Sequence, residues 1–214
     1  IYEIWLENSS ERLTQIVFCD MGVNLNDMGF SAHNELKSLL TRRGIPTEEV
    51  ELISEHNTDV KKAALFKRVR AGSVRVIIGS TRKMGTGTNV QNKLIAIHHI
   101  DVPWRPADLE QRDGRILRQG NNNEKVHVFR YVTKGTFDAY MWQNLEVKAK
   151  FINAFMTGRN GERRISDIDG QTLSFAEVKA IASGNMAVLT LAKIDMQLSR
   201  LQFLESAHKN ELHM

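Results

Sequence analysis

The chain has 214 residues, 42% apolar and 25% charged, enough to bury a full core and leave room for an extension. A formal net charge of +4 and a pI near 9.2 are compatible with nucleic acid without demanding it. No apolar run reaches membrane-spanning length, no basic-then-apolar leader opens the chain, Cys19 has no disulfide partner, and no Cys/His cluster has zinc-ligand spacing, so a soluble, metal-free protein of the reducing cytoplasm is expected.

In chain order, residues 1 to about 12 read as an entry segment, with Tyr2 to Leu6 left open as an edge strand. Thr14 to Asp20 predicts the first strand, and Asn26 to Arg43 a helix stopped by Gly44 and Pro46. Glu48 to Ser54 predicts a strand. Thr58 to Ala71 predicts a helix capped by Thr58 or Asn57, with Val60, Ala64, Leu65 and Val69 inside and Gly72 at its end. Strands follow at Val74 to Gly79 and Leu94 to Ile100, then a helix from Pro106 and a strand at Lys125 to Val132. Strands alternating with helices predict a parallel sheet with crossover helices.

Beyond Gly135 the pattern turns helical. Met141, Leu145, Ala149, Ile152 and Met156 form an apolar stripe at helical spacing, predicted to dock on the sheet domain. Thr157 to Gly170 is a polar break whose Arg159, Arg163 and Arg164 read as a solvated loop. Ser174 is placed to cap a short helix over Phe175 to Ala182. Ala187, Leu191, Ile194, Leu198 and Leu201 then follow a heptad-like spacing that needs a partner surface.

The chemistry concentrates in Gln111-Arg112-Asp113-Gly114-Arg115-Ile116-Leu117-Arg118. If helical, Gln111, Arg115 and Arg118 fall at i, i+4 and i+7 and share a face, while Ile116 and Leu117 turn toward a core. Such a stripe suits a polyanion, above all a nucleotide phosphate. Taken alone, a solvated helix pairing with Asp108, Glu110 and Asp113 is the better account. Gly114 shifts that balance, because it costs roughly 1 kcal/mol in a helix and favours sites where another backbone or a ligand comes close. Upstream, the apolar run Val76-Ile77-Ile78-Gly79 leads into Ser80-Thr81 and then Met84-Gly85-Thr86-Gly87-Thr88-Asn89-Val90, a turn whose amides and small hydroxyls can approach a phosphate.

The pattern Gln-Arg-x-Gly-Arg-x-x-Arg resembles the sixth motif of superfamily 2 helicases and translocases. The Ser80 to Val90 stretch resembles the fifth motif of their Swi2/Snf2-like branch. Asp101-Val102-Pro103-Trp104-Arg105-Pro106 is similar to the segment that precedes the arginine motif there, with Arg105 in place of the usual asparagine. Thr14 to Asp20 resembles the fourth motif, with Asp20 where glutamine is frequent. The run from Gly170 to Asn185, joined to these motifs, is similar to the tail of phage and mobile-element methylase-helicases, the DarB-like antirestriction proteins.

The resemblance implies an α/β fold, a RecA-like parallel sheet flanked by helices with an α-helical C-terminal extension, divided at residues 1–135 and 136–214. It implies the second motor lobe of an ATP-dependent DNA helicase or translocase. Arg115 and Arg118 then reach the γ-phosphate of ATP, and Gln111 orients them or the attacking water. Gly87, Asn89 and Arg112 lie near the nucleotide, with Arg112 packing or pairing across the interface. Ser80, Thr81, Gly85 and Thr86 hold a phosphate of DNA, expected to be double-stranded. No phosphate-binding Gly-x-x-x-x-Gly-Lys-Ser/Thr loop and no Asp-Glu-x-His box is present, so ATP is expected to be shared with a first RecA-like lobe that also holds magnesium. Lacking these and an initiator methionine, the chain is expected to be part of something larger and inactive alone. Two rivals are a non-enzymatic nucleic-acid-binding module and a metal-dependent nuclease using His98, His99 and Asp101. Adjacent histidines on a strand face opposite sides, which weighs against the nuclease.

Overall fold

The computed structural model describes residues 1–24, 29–84, 89–133 and 136–157, together with Ile194 and Leu198. The chain divides into two compact units, Ile1–Tyr131 and Val132–Met214, each taken here by itself.

The first unit is built on five strands: β1 (Thr14–Phe18), β2 (Val50–Leu52), β3 (Val76–Gly79), β4 (Leu94–His99) and β5 (His127–Arg130). They form one sheet in the order β2-β3-β1-β4-β5, and every pairing is parallel. This is the RecA-like α/β arrangement expected from the alternation of strands and helices. β1 lies at the centre and is buried along its whole length, the mark of a strand covered on both faces.

Successive side chains of a strand point to opposite faces, so β1 feeds two cores. Ile16 and Phe18 join Ile77, Ile97 and Ile116 under Leu65, Phe66 and Val69 of α3 (Asp59–Ala71). On the other face Val17 joins Val50, Val76 and Ile78 under Leu40 of α2 (Ala32–Arg42), with Tyr2 and Trp5 of α1 (Tyr2–Glu7) at the margin. The segment left open at the N-terminus is thus a helix. It is held by Arg75, a fully buried guanidinium that donates to the carbonyls of Trp5 (2.6 Å), Asn8 (2.9 Å) and Leu13 (3.1 Å) and stacks 5.1 Å from the Trp5 ring.

Most predicted elements are present but shorter. The second strand keeps only Val50–Leu52, because single 3₁₀ turns occupy Thr47–Glu49 and Ile53–Glu55. α2 starts at Ala32, capped by Ser31, whose hydroxyl accepts from the Asn34 amide, and Asn26 lies outside the described residues. α3 matches its predicted bounds, with Thr58 accepting from the Lys61 amide and Gly72 closing it at φ +78. A Cβ at Gly72 would also lie 2.9 Å from that of Arg12, so both backbone and space require glycine. The inward face of α3 differs from expectation. Val60 is 81% exposed and Ala64 is also exposed, while Phe66 is buried. The buried residues of α3, Leu65, Phe66 and Val69, lie in its second half.

In the second unit, α6 (Asp138–Thr157) carries the predicted stripe, with Leu145 buried and Ile152 and Met156 exposed. The polar break with Arg159, Arg163 and Arg164, the Ser174 cap, the helix over Phe175 to Ala182, and Ala187, Leu191 and Leu201 lie outside the described residues. Ile194 and Leu198 are helical and exposed. Among the described residues no helix is long and apolar enough to cross a membrane.

Candidate nucleotide and nucleic-acid site

Because all five strands run the same way, the segments leaving β1, β3 and β4 emerge at one edge of the sheet, where open α/β folds bind their ligands. There they are tied together by charge. After β4, the Asp101 carboxylate accepts the amide of Asp20, and that of Met21 at 2.7 Å, both just past β1. Asp20 in turn accepts the amide of Thr81 at 2.6 Å and its hydroxyl at 2.8 Å, where α4 (Thr81–Met84) starts after β3.

Into this corner α5 (Pro106–Asp113) inserts Arg112. Its Nε donates to the Thr81 hydroxyl at 2.7 Å, Nη2 to Asp20 at 2.7 Å and Asp101 at 3.2 Å, and Nη1 to the Asp101 carbonyl at 3.0 Å. The guanidinium lies 5.2 Å from the Phe18 ring and the residue is 1% exposed. A buried arginine is tolerable only when its donors are met, and here two carboxylates, a hydroxyl and a carbonyl meet them. Arg112 was expected near the nucleotide or across the interface. Instead its donors are spent inside the lobe.

The network continues outward. His99 approaches Arg112 at 3.4 Å and pairs with Asp113 at 2.9 Å, and Asp113 accepts from Arg130 of β5 at 2.8 Å. Burial works against the Asp113 carboxylate, but His99 and Arg130 outweigh it and hold its pKa below the usual value. Burial, with the charge of Asp101, pushes the Cys19 thiol up to about 12, so it is inert at neutral pH. His98 faces the other way, bridging Gln15 and the Tyr131 hydroxyl at 2.9 Å each, and burial brings its pKa down to about 3. His98 and His99 therefore have separate protein partners, and Asp101 spends its oxygens on amides and Arg112. Among the described residues no group of carboxylates, histidines and cysteines could hold a metal ion.

The second cluster is the turn that follows α5. The predicted helix does not continue to Arg118. It ends at Asp113, and Gly114 to Leu117 turn more tightly, with Arg115 bonding back to Arg112 and Ile116 to Asp113. A Cβ on Gly114 would lie 3.0 Å from the Glu110 carbonyl, so the close approach is by the preceding turn of backbone. Ile116 is buried as expected, whereas Leu117 is 69% exposed because the tightened turn rotates it outward. The shared helical face is thus replaced by a turn, but Gln111 and Arg118 are still exposed and Arg115 half-buried. Partial burial first, and then the charge of Arg118, lower the Arg115 pKa.

Arg118 donates to the Asn89 side chain at 2.8 Å, and Arg70 donates to the Asn89 carbonyl at 2.8 Å. Among the described residues neither Arg70 nor Arg118 pairs with a carboxylate. Asn89 therefore sits beside Arg118. Ser80 is nearly buried, its hydroxyl 3.4 Å from the Lys83 amide. Gly85, Thr86 and Gly87 lie outside the described residues. Asp20, which the motif resemblance marks only as a departure from glutamine, is a hub of this corner. The signal was present, since an acid following an apolar strand calls for a cation, but no spacing rule links it to Arg112, 92 positions later.

The family model described as helicase conserved C-terminal domain matches residues 2–120. Among curated proteins, the chain is 32% identical over 137 residues to defense against restriction protein B of Escherichia phage P1, covering 56% of this chain and 6% of that protein. It is 38% identical over 85 residues to the uncharacterized ATP-dependent helicase YqhH of Bacillus subtilis (strain 168), covering 39% of this chain and 14% of that one. The chain thus matches only a small part of either relative. Among solved structures, the C-terminal part of the Fun30 ATPase domain superposes with a TM-score of 0.52 at 13% identity, covering 89% of this chain and 52% of that one, a likeness of fold.

Proposed function

We propose a function from the premise that the chain belongs to the helicase conserved C-terminal domain family: it is the second motor lobe of an ATP-dependent DNA translocase, acting with a first RecA-like lobe. One observation carries the reading. Arg118 is exposed and pairs with no carboxylate among the described residues, and Arg115 lies three residues before it at the same turn, so the turn presents two guanidiniums suited to a polyanion.

The donor set fits a triphosphate. Arg115 and Arg118 would take the γ-phosphate end of ATP bound on the first lobe, Asn89 would keep Arg118 aimed, and Gln111 would orient the arginines or a water. Gly87 is assigned to the same neighbourhood. Bound there, ATP supplies the phosphoryl transfer whose developing charge the two guanidiniums stabilise, while magnesium is assigned to the first lobe. Arg112 serves this site from inside, by fixing the helix that delivers the turn.

DNA is assigned to the segment after β3. Ser80, Gly85 and Thr86 offer small side chains and amides to a backbone phosphate, and Thr81 anchors the segment through Asp20. The test is ATP turnover, with and without duplex DNA, by the protein carrying both lobes. Arg115→Ala is expected to reduce turnover on the order of a thousand-fold with nucleotide affinity retained. Unchanged turnover would refute the assignment, and salt-dependent DNA binding with no ATPase would favour a plain binding module.

A further inference from the structure

We propose that Asp20 is the positioning residue that couples the DNA segment to the arginine turn. The inference rests on the motor reading above and deepens it. Among the described residues Asp20 is the acid that bonds to both Thr81 and Arg112, which also bond to each other at 2.7 Å. One oxygen takes the Thr81 amide at 2.6 Å, and the other takes the Thr81 hydroxyl at 2.8 Å and Arg112 at 2.7 Å. Thr81 opens the stretch assigned to DNA, and Arg112 stands three residues before Arg115 on the last turn of α5. A displacement of the segment after β3 therefore reaches the base of the arginine turn through the Asp20 carboxylate, which braces the direct bond between Thr81 and Arg112.

The remaining partners make this linkage stiff. Asp101 fixes the Asp20 and Met21 amides and holds Arg112 by side chain and carbonyl, so neither Asp20 nor Arg112 can swing independently. Asp20 differs from Asp101 in exposure, its side chain being 32% accessible against 2%. It is the outer member of the pair, on the side of Thr81. Coupling of this kind is reciprocal, so nucleotide contact at the turn biases the DNA segment equally.

The experiment compares wild type, Asp20→Asn and Arg112→Gln in the protein carrying both lobes, recording turnover without DNA, turnover at saturating duplex DNA, and melting temperature. Asp20→Asn can still accept the Thr81 amide but loses the charge facing Arg112. Stimulation by DNA is expected to fall about tenfold, a larger factor than any fall in the DNA-free rate. Combining Asp20→Asn with Arg112→Gln should lose no more stimulation than the worse single variant, because both break one linkage. Unchanged stimulation, or an equal fall in both rates, overturns the inference. Should Asp20→Asn fail to fold, Asp20→Glu keeps the charge but displaces it, and stimulation that equals wild type there overturns the inference too. A wild-type protein with no DNA-stimulated turnover overturns the motor reading itself, a result visible before any variant is made.

Discussion

Arg112 and Arg118 stand six positions apart in one segment and meet opposite surroundings. The first is sealed against two carboxylates and an aromatic ring, the second stands in solvent against a neutral amide. The same guanidinium is a structural clamp in one place and a candidate ligand contact in the other. The difference lies in where α5 stops. Ending at Asp113, it leaves Arg112 on the inward side of its last turn, and the tighter turn carries Arg118 away from every acid among the described residues.

Substitutions should separate the two. Arg118→Ala has the largest expected effect, a loss of ATP turnover on the order of a thousand-fold with folding stability within about 0.5 kcal/mol of wild type. Turnover assays and urea unfolding read both halves, and a large stability loss would break the contrast. Arg112→Ala should behave in the opposite sense. It strands Asp101 and Asp20 without their cation, and destabilisation of about 3–5 kcal/mol is expected in urea unfolding. A loss below about 1 kcal/mol would mean that water replaces the guanidinium readily.

A smaller effect comes from His98, the buried neighbour that takes no part in the clamp. Its folded pKa, about 3, lies below the unfolded value near 6.5, so the unfolded chain takes up the proton first. Stability from this residue is therefore complete above pH 6.5 and falls as pH drops toward 3, by up to roughly 1.4 kcal/mol per pH unit. Unfolding followed from pH 7 to 4 should show that slope, and His98→Gln should flatten it. The smallest expected effect belongs to Val60→Ala, within about 0.5 kcal/mol, since that side chain stands in solvent. A larger loss would restore the predicted inner face of α3.

The sheet was legible because short apolar runs such as Val76 to Ile78 and Leu94 to Ile97, buried on both faces, are bounded by polar turn residues and alternate with helical segments. The bounds of α3 were legible from Thr58 and Gly72, each bound by a specific backbone need. Its inner face was not, because Val60 and Phe66 are both apolar and only tertiary packing decides which is covered. At the site, the arginine segment and its neighbours after β3 could be read from residue type and order. What could not be read was the end of α5, set by one tightened turn at Gly114, and the Asp20–Arg112 pair. Long-range charge pairs have no period, and they appear only when three strand ends are brought to one edge.

Arg75 carries a mechanical consequence. Its three hydrogen bonds to Trp5, Asn8 and Leu13 act side by side between the start of the chain and β3. Tension applied at residue 1 would therefore reach the start of β3, the neighbour of the central strand, through one side chain and not through the loop between them.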